Sequence, residues 1–235
     1  MAFSITKQIL ITTALLALTL AVFENSQLDI LAQDYLYDFS AQHWLLDRDQ
    51  QPWKLLLYDG IKRLYMVGVL ALLITLVAFR KHPRIRAHKT GLLTVLLSTI
   101  LVPLVIASLK AETNVPCPKD ISHYNGALPH VTLFASWPPG TRPDTVQRCY
   151  PAAHASGGFA LLSLFFLFKS RRNRRLAVAF ALTVGWVTGF YKMLIGDHFL
   201  SHTIVSMLLA WLIILLAHAM VRFITTRQSN PTHAS

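Results

Sequence analysis

Residues 176–221 read LAVAFALTVGWVTGFYKMLIGDHFLSHTIVSMLLAWLIILLAHAMV, which is two long apolar runs joined by a short polar turn. A helix of about 20 apolar residues, rising 1.5 Å per residue, crosses the roughly 30 Å hydrocarbon core of a bilayer. The two runs therefore predict a pair of membrane-spanning helices. The junction between them carries Lys192, Asp197, His198 and His202, so ionisable groups are expected at the edge of the membrane.

The composition of the whole chain agrees with a membrane protein. Hydrophobic residues make up 54% of the 235 residues and charged residues only 14%, whereas soluble globular chains carry about 25% charged residues. The same numbers exclude disordered and collagenous classes. The sequence predicts an all-α polytopic protein with one membrane domain over 1–235. Its six spans lie near 5–23, 62–79, 91–109, 152–168, 176–195 and 203–222, and its outer loops are 24–61, 110–151 and 196–202.

Basic residues predict the orientation of the chain. The loops 80–89 and 169–175 each hold five Lys or Arg residues, and short basic loops stay in the cytoplasm. Both termini are then cytoplasmic, and all eleven Asp and Glu residues fall in outer segments. The formal net charge of +11 is explained by anchoring to anionic lipid, so no nucleic-acid partner is expected. The predicted location is the bacterial inner membrane, with the active site facing the periplasm.

The outer segment 24–61 is rich in aromatic residues, namely Tyr35, Tyr37, Trp44 and Trp53. An aromatic belt at the level of the lipid headgroups is the favoured interpretation. An interfacial helix or a cap is the alternative.

Cationic and titratable side chains converge on the outer face from separate segments: Lys110, His154, Lys192, His198 and His202. Ionisable groups at membrane depth are costly and usually functional. Lysines can hold a phosphate by charge, one imidazole can attack phosphorus, and a second can protonate the leaving oxygen. Phosphoryl transfer depends mainly on positioning and charge stabilisation, so this set of residues indicates phosphate chemistry.

The spacing of these residues resembles the type 2 phosphatidic acid phosphatase superfamily, whose motifs are K-x6-R-P, P-S-G-H and S-R-x5-H-x3-D. The corresponding segments here are Lys110 with Cys117-Pro118, Pro151-Ala152-Ala153-His154, and Tyr191-Lys192 with His198 and His202. The resemblance covers roughly residues 60 to 222 and is to a bacterial branch with degenerate motifs. It implies that His198 is the nucleophile, that His154 is the general acid, that Lys110 and Lys192 bind phosphate, and that no metal or other cofactor is needed.

Several motif positions differ from the family pattern. Cys117 stands where the first motif has arginine, so Arg142 or Arg148 is expected to supply that charge. Ala152 and Ala153 replace the serine and glycine of the second motif. His202 replaces the aspartate that would orient the nucleophile; it can accept a proton from His198 but brings no fixed negative charge. A catalytically weak member that acts as a transporter or interaction protein is therefore an alternative.

The two cysteines of the chain, Cys117 and Cys149, fall in the same predicted outer loop, in a compartment where disulfides persist. A bridge would connect the first two motif segments and close a loop of roughly 33 residues. In the chain-entropy model such a bridge stabilises the fold by about 3–4 kcal/mol.

The predicted function is hydrolysis of a lipid phosphate or diphosphate at the outer leaflet through a phosphohistidine, with phosphotransfer to another lipid as a variant. The expected partners are membrane lipids and a phospholipid or isoprenoid-phosphate substrate: undecaprenyl diphosphate, a phosphatidate-type lipid or lipid A. A zinc-dependent membrane hydrolase is the rival, because His198 and His202 are four residues apart and His154, His123 or Asp197 could complete a zinc site.

Overall fold

The computed structural model describes residues 4–229, so the ends of the predicted domain, residues 1–3 and 230–235, lie outside the described residues. Helices dominate the described chain. They are α1 (Ile5–Glu24), α2 (Leu28–Asp34), α3 (Ile61–Ala78), α4 (Pro83–Ala87), α5 (Lys89–Glu112), α6 (Ala153–Ala160), α7 (Arg171–Leu194) and α8 (Leu200–Ser229). Two strands of two residues each, β1 (Tyr37–Asp38) and β2 (His43–Trp44), form a small antiparallel pair. The all-α class is confirmed apart from this pair.

Five helical segments within residues 4–229 are long and apolar enough to cross a membrane: Ile5–Glu24, Lys54–Ala78, Lys89–Glu112, Arg171–Leu194 and Leu200–Arg227. The segment predicted to span at 152–168 is shorter. Helix α6 continues as a 3-10 helix to Phe166, and the 14 residues of Ala153–Phe166 rise about 24 Å, less than the roughly 30 Å hydrocarbon core. The sixth span therefore stays a prediction.

Several helices extend beyond the apolar runs that predict them. Helix α5 continues past Lys110 to Glu112, and α8 begins at Leu200, so His202 lies inside a helix and the predicted outer loop 196–202 is shorter. The second span begins at Lys54, because a π-helical turn, Lys54–Gly60, precedes α3. A helix propagates until its end groups find other partners, and this need not coincide with the end of the apolar run.

The centre of the bundle is built around α6, which packs against α5, α7 and α8. Phe159, Ile106 and Ile214 are fully buried there. Gly158 of α6 meets the backbone of Gly185 in α7 so closely that an added Cβ would lie 2.5 Å from the Gly185 nitrogen. Small residues allow membrane helices to approach in this way, and the contact holds α6 closely against the middle of α7.

Helices α1 and α3 lie at the periphery. Helix α1 packs on α8 and α3 on α5, and both leave large apolar side chains exposed, among them Leu10, Leu18, Leu64, Val67 and Leu70. A helix that is apolar on all sides is expected in lipid, so these faces match a membrane environment.

Most of segment 24–61 forms a cap, which we define as residues 28–50, over the junction between α7 and α8. Gln33 Nε2 donates to the Met193 carbonyl at 2.8 Å, and the Leu46 N–H donates to the Leu194 carbonyl at 3.3 Å. Tyr37 and Trp44 pack in a cluster with Ile121, Tyr124 and Phe199. The aromatic-belt interpretation is therefore wrong for Tyr37 and Trp44, because these rings pack on protein; Tyr35 and Trp53 are exposed.

Candidate active site

The turn after α7 positions the first histidine. Gly196 has φ +72°, its N–H donates to the Met193 carbonyl at 3.0 Å, and the Asp197 N–H donates to the Lys192 carbonyl at 2.8 Å. These two bonds form a Schellman motif, in which glycine takes the left-handed position that ends the helix. An added Cβ at Gly196 would collide with the Trp44 ring. His198 follows two residues later.

The start of α8 is held by an acid from the cap. Asp29 Oδ1 accepts a hydrogen bond from the Ser201 N–H at 2.8 Å and Oδ2 accepts from Ser201 Oγ at 2.5 Å. The carboxylate thus satisfies one of the N–H groups that a helix leaves without a partner in its first turn. Burial raises the pKa of Asp29 to about 6. This acid orients the turn that carries His198.

His198 is buried and lies beside a second imidazole. Its Nδ1 is 3.4 Å from His202 Nδ1 and 3.7 Å from Cys149 Sγ. Burial holds the pKa of His198 well below its usual value, and the nearby charges of Lys110 and Lys192 act in the same direction. His198 is therefore neutral at pH 7 and keeps a ring lone pair that can attack an electrophile.

Helix α6 brings His154 to the same place. The His154 and His198 ring centroids are 6.4 Å apart, so both rings can approach one phosphorus atom between them. The Ala152 N–H donates to the His202 carbonyl at 3.2 Å, which ties the start of α6 to the first turn of α8.

A cationic cavity of about 360 Å³ opens beside the two histidines. It is lined by Arg48, Lys54, Lys110, Cys117, Lys119, Arg148, His154, Tyr191, Lys192, Asp197 and His198. Lys110 and Lys192 lie in the last turns of α5 and α7, where the negative end of the helix dipole favours a cation. The cavity can hold an anion with several oxygen atoms.

The Asp197 carboxylate pairs with several cationic side chains at the edge of this cavity. Its carboxylate pairs with Lys192 Nζ at 2.9 Å, with Lys119 Nζ at 3.9 Å and with the Arg48 guanidinium. The Asp197 side chain is 13% exposed. This carboxylate neutralises part of the positive charge, so an incoming phosphate must compete with it.

The structure brings together most of the predicted site residues. His154, His198, Lys110, Lys192 and Arg148 line the cavity, and His202 lies directly behind His198.

The prediction that Arg142 supplies charge to the phosphate site is corrected by the structure, because Arg142 lines a separate cavity with Thr113, Trp137 and Pro139. The physical reason is a turn at 138–141, closed by the Thr141 N–H on the Pro138 carbonyl. Hydrogen bonding and the disulfide hold residues 147–149, but not this turn, against the site.

Sequence reasoning missed Arg48, Lys54 and Lys119. Lys119 could have been noticed, because it follows Cys117-Pro118 of the first motif directly. Arg48 and Lys54 carried no such signal, since segment 24–61 holds none of the three motifs.

Cys117 and Cys149 form a disulfide, with their Cα atoms 5.2 Å apart. The same two chain segments are joined by the Gln147 N–H donating to Asn114 Oδ1 at 2.7 Å and by Thr113 Oγ1 donating to the Tyr150 carbonyl. The first and second motif segments are therefore linked beside His198.

The structure arranges the potential zinc ligands differently from what the zinc-hydrolase alternative predicts. Among residues 4–229, the His, Cys, Asp and Glu group that converges as a ligand set is Cys149, His198 and His202. The Cys149 sulfur is committed to the disulfide and is not a thiolate. His123 Nε2 lies 2.8 Å from Asp34 Oδ1 and Asp197 pairs with cations, so neither joins His198.

An apolar groove of about 300 Å³ adjoins the cationic cavity. It lies between α3, α5, α6 and α7, and its lining includes Ile61, Tyr65, Met66, Pro103 and Gly157. The groove and the cavity share His154, Tyr191 and Lys192. Together they offer one end to an anion and the other to an apolar chain.

Paired histidines and lysines around an anion-sized cavity, in a chain with long apolar helices, are typical of a membrane phosphatase. The family model of the PAP2 superfamily matches residues 91–225, more than half of the chain, so the chain belongs to the type 2 phosphatidic acid phosphatase superfamily. No curated protein and no solved structure matches it. Members of this superfamily are phosphatases. The chain is therefore assigned to the membrane phosphoric monoester hydrolases that act on lipid-type phosphates.

Proposed function

We propose that the protein hydrolyses a lipid phosphate or diphosphate, with the phosphate in the cationic cavity and the lipid chain in the adjoining groove. The observation that carries this proposal is the sharing of His154, Tyr191 and Lys192 by the two cavities. A substrate that fills both must carry a phosphate close to an apolar chain. Undecaprenyl diphosphate, phosphatidate-type lipids and the phosphates of lipid A all meet this requirement.

The first chemical step forms a phosphohistidine. Because Nδ1 of His198 faces His202 at 3.4 Å, Nε2 is the ring atom that attacks phosphorus. The bond between phosphorus and the leaving oxygen breaks, and His154 donates a proton to that oxygen. Lys110 and Lys192 stabilise the charge on the phosphoryl oxygens.

The second step restores the enzyme. Water attacks the phosphohistidine, His154 accepts a proton from it, and the nitrogen–phosphorus bond breaks to release phosphate and neutral His198. His202 accepts a hydrogen bond from His198 Nδ1–H and in this way orients the nucleophile, as the missing aspartate would. A lipid hydroxyl in place of water gives phosphotransfer.

Filling the groove tests the proposal. Gly157 lines the groove beside Tyr65, and an added Cβ there would make ordinary contact with that ring at 3.7 Å, so the remaining carbons of Gly157→Leu should occupy groove space. We expect kcat/KM for phosphatidate in mixed micelles to fall about tenfold, equivalent to about 1.4 kcal/mol of lost positioning. The kcat/KM for p-nitrophenyl phosphate, which has no lipid chain, should change less than about threefold on the same scale.

The matched control is Gly68→Leu, since Gly68 on α3 faces open space. It should leave both substrates unaffected. An equal loss on both substrates in Gly157→Leu would show general damage and reject the groove as the lipid-chain site. Absence of phosphate release from undecaprenyl diphosphate, phosphatidate and lipid A by the unmodified protein would reject the proposed function.

We further propose that the site faces the outside of the bacterial inner membrane, as the basic loops indicate. Reporter fusions at Arg84, in α4, and at Arg172, at the start of α7, should be active in the cytoplasm. A fusion at Asn125, in the loop that carries the disulfide, should be active outside. An external reporter at Arg172 would contradict the orientation, because α7 ends at the site.

A further inference from the structure

The first family motif normally supplies a guanidinium that this chain lacks at that position. Cys117 stands there and is bonded to Cys149. Arg142 lines a separate cavity. The family match, residues 91–225, excludes the whole cap, yet the cavity is lined by a cap residue, Arg48.

The backbone around Arg48 is anchored to the end of α7. Two residues earlier, the Leu46 N–H donates to the Leu194 carbonyl at 3.3 Å. On the other side, the Asp49 N–H donates to Asp47 Oδ1 at 2.9 Å, which closes a turn around Arg48. The guanidinium therefore enters the cavity from a fixed position and reaches the Asp197 carboxylate through Nη2.

We propose that Arg48 is a substrate-binding residue that supplies the missing guanidinium, and that Asp197 is its partner only until a phosphate displaces that carboxylate. This inference rests on the proposed phosphatase function. A guanidinium binds a carboxylate and a phosphate through the same planar fork. Phosphate oxygens entering beside His198 replace Asp197 as partner of Arg48, while the backbone of the cap stays where it is.

Arg48 fits this role better than the other outer cations. Arg148 also lines the cavity, and both arginines are exposed, so burial does not separate them. Lys119 Nζ lies 3.9 Å from Asp197 and acts as a point charge without a fork. Arg48 forms a direct hydrogen bond with the carboxylate next to His198.

The test measures binding of inorganic phosphate to purified protein by calorimetry, together with kcat and KM for phosphatidate. Loss of a charge-assisted pair corresponds to about a 10- to 100-fold change in affinity. We expect Arg48→Ala to raise the phosphate Kd and the KM within this range. Arg48→Lys, which keeps the charge but not the fork, should fall between Arg48→Ala and the unmodified protein.

Two further variants separate binding from structural support. Arg142→Ala, which removes an arginine outside the cavity, should change the Kd less than about twofold. Asp197→Asn removes the competing carboxylate and should bind phosphate at least as tightly as the unmodified protein. If Arg48 only anchors the cap to Asp197, then Asp197→Asn will weaken binding as Arg48→Ala does, and the proposal is overturned.

The phosphate Kd decides the proposal independently of turnover. An Arg48→Ala protein that binds phosphate like Arg142→Ala overturns the role of Arg48, even where the unmodified protein hydrolyses phosphatidate normally. A raised Kd in Arg48→Ala supports it, even where another lipid proves to be the substrate. Failure of the unmodified protein to bind phosphate overturns it as well.

Discussion

Replacing His198 with alanine should lower kcat for phosphate release by at least about 10³-fold, as loss of a covalent nucleophile does in other hydrolases. The physical reason is that His198 is a buried, neutral imidazole in the cavity, and that its Nδ1 faces His202 so that Nε2 is left to attack phosphorus. Phosphate release from phosphatidate and undecaprenyl diphosphate measures the effect. An acid-labile phosphoprotein should form in the unmodified protein and not in His198→Ala.

A matched imidazole and a chelator provide the controls for this prediction. His123→Ala removes a histidine that pairs with Asp34 and should keep activity within about threefold. EDTA should leave the unmodified protein active. Loss of activity in EDTA that zinc restores would favour the zinc hydrolase, and full activity of His198→Ala would remove the phosphohistidine mechanism.

Adding a single methyl group at Gly158 should be strongly disruptive. Its Cβ would lie 2.5 Å from the backbone nitrogen of Gly185, so α6 and α7 must separate by about 1 Å to restore ordinary contact distances. Overpacking of this kind costs about 1–3 kcal/mol. Since α6 carries His154 and α7 carries Lys192, we expect kcat/KM to fall at least about tenfold, because a 1 Å misplacement can cost up to about 10² in rate.

Thermal unfolding in detergent and phosphate release measure the two effects of Gly158→Ala. Gly157→Ala, one residue earlier, is the control for stability, because its Cβ meets the Tyr65 ring at 3.7 Å. Gly68→Ala in α3 is the control for activity. Equal melting temperatures of Gly158→Ala and Gly157→Ala would contradict the close contact between α6 and α7.

The site is built from chain segments that lie inside the family match and from one segment that lies outside it. Helices α5, α6, α7 and α8 carry Lys110, His154, Lys192 and His202, and these four residues lie within the family match. The cap lies outside that match and reaches the site through Arg48. We therefore expect the histidines to determine the chemistry and the cap to modulate phosphate affinity.

The sequence by itself predicted the membrane class, six spans, five of which are helices long and apolar enough to cross a membrane, and the convergence of His154, His198, Lys110 and Lys192, which line one cavity. Lipid as solvent requires runs of about 20 apolar residues, and such runs are visible without tertiary information. The three motifs have fixed spacing along the chain, which made the family recognisable from residues such as Lys110 and His198.

Only the tertiary structure decided which distant residues complete the site. The contact between Arg48 and Asp197 joins positions 149 residues apart, and neither hydropathy nor spacing encodes such a pair. The same holds for the packing of Trp44 on Gly196, for the exclusion of Arg142 from the cavity and for the groove between α3, α5, α6 and α7. Local hydropathy patterns indicate whether a segment lies in lipid or in water, whereas these features depend on which helices and loops pack against one another.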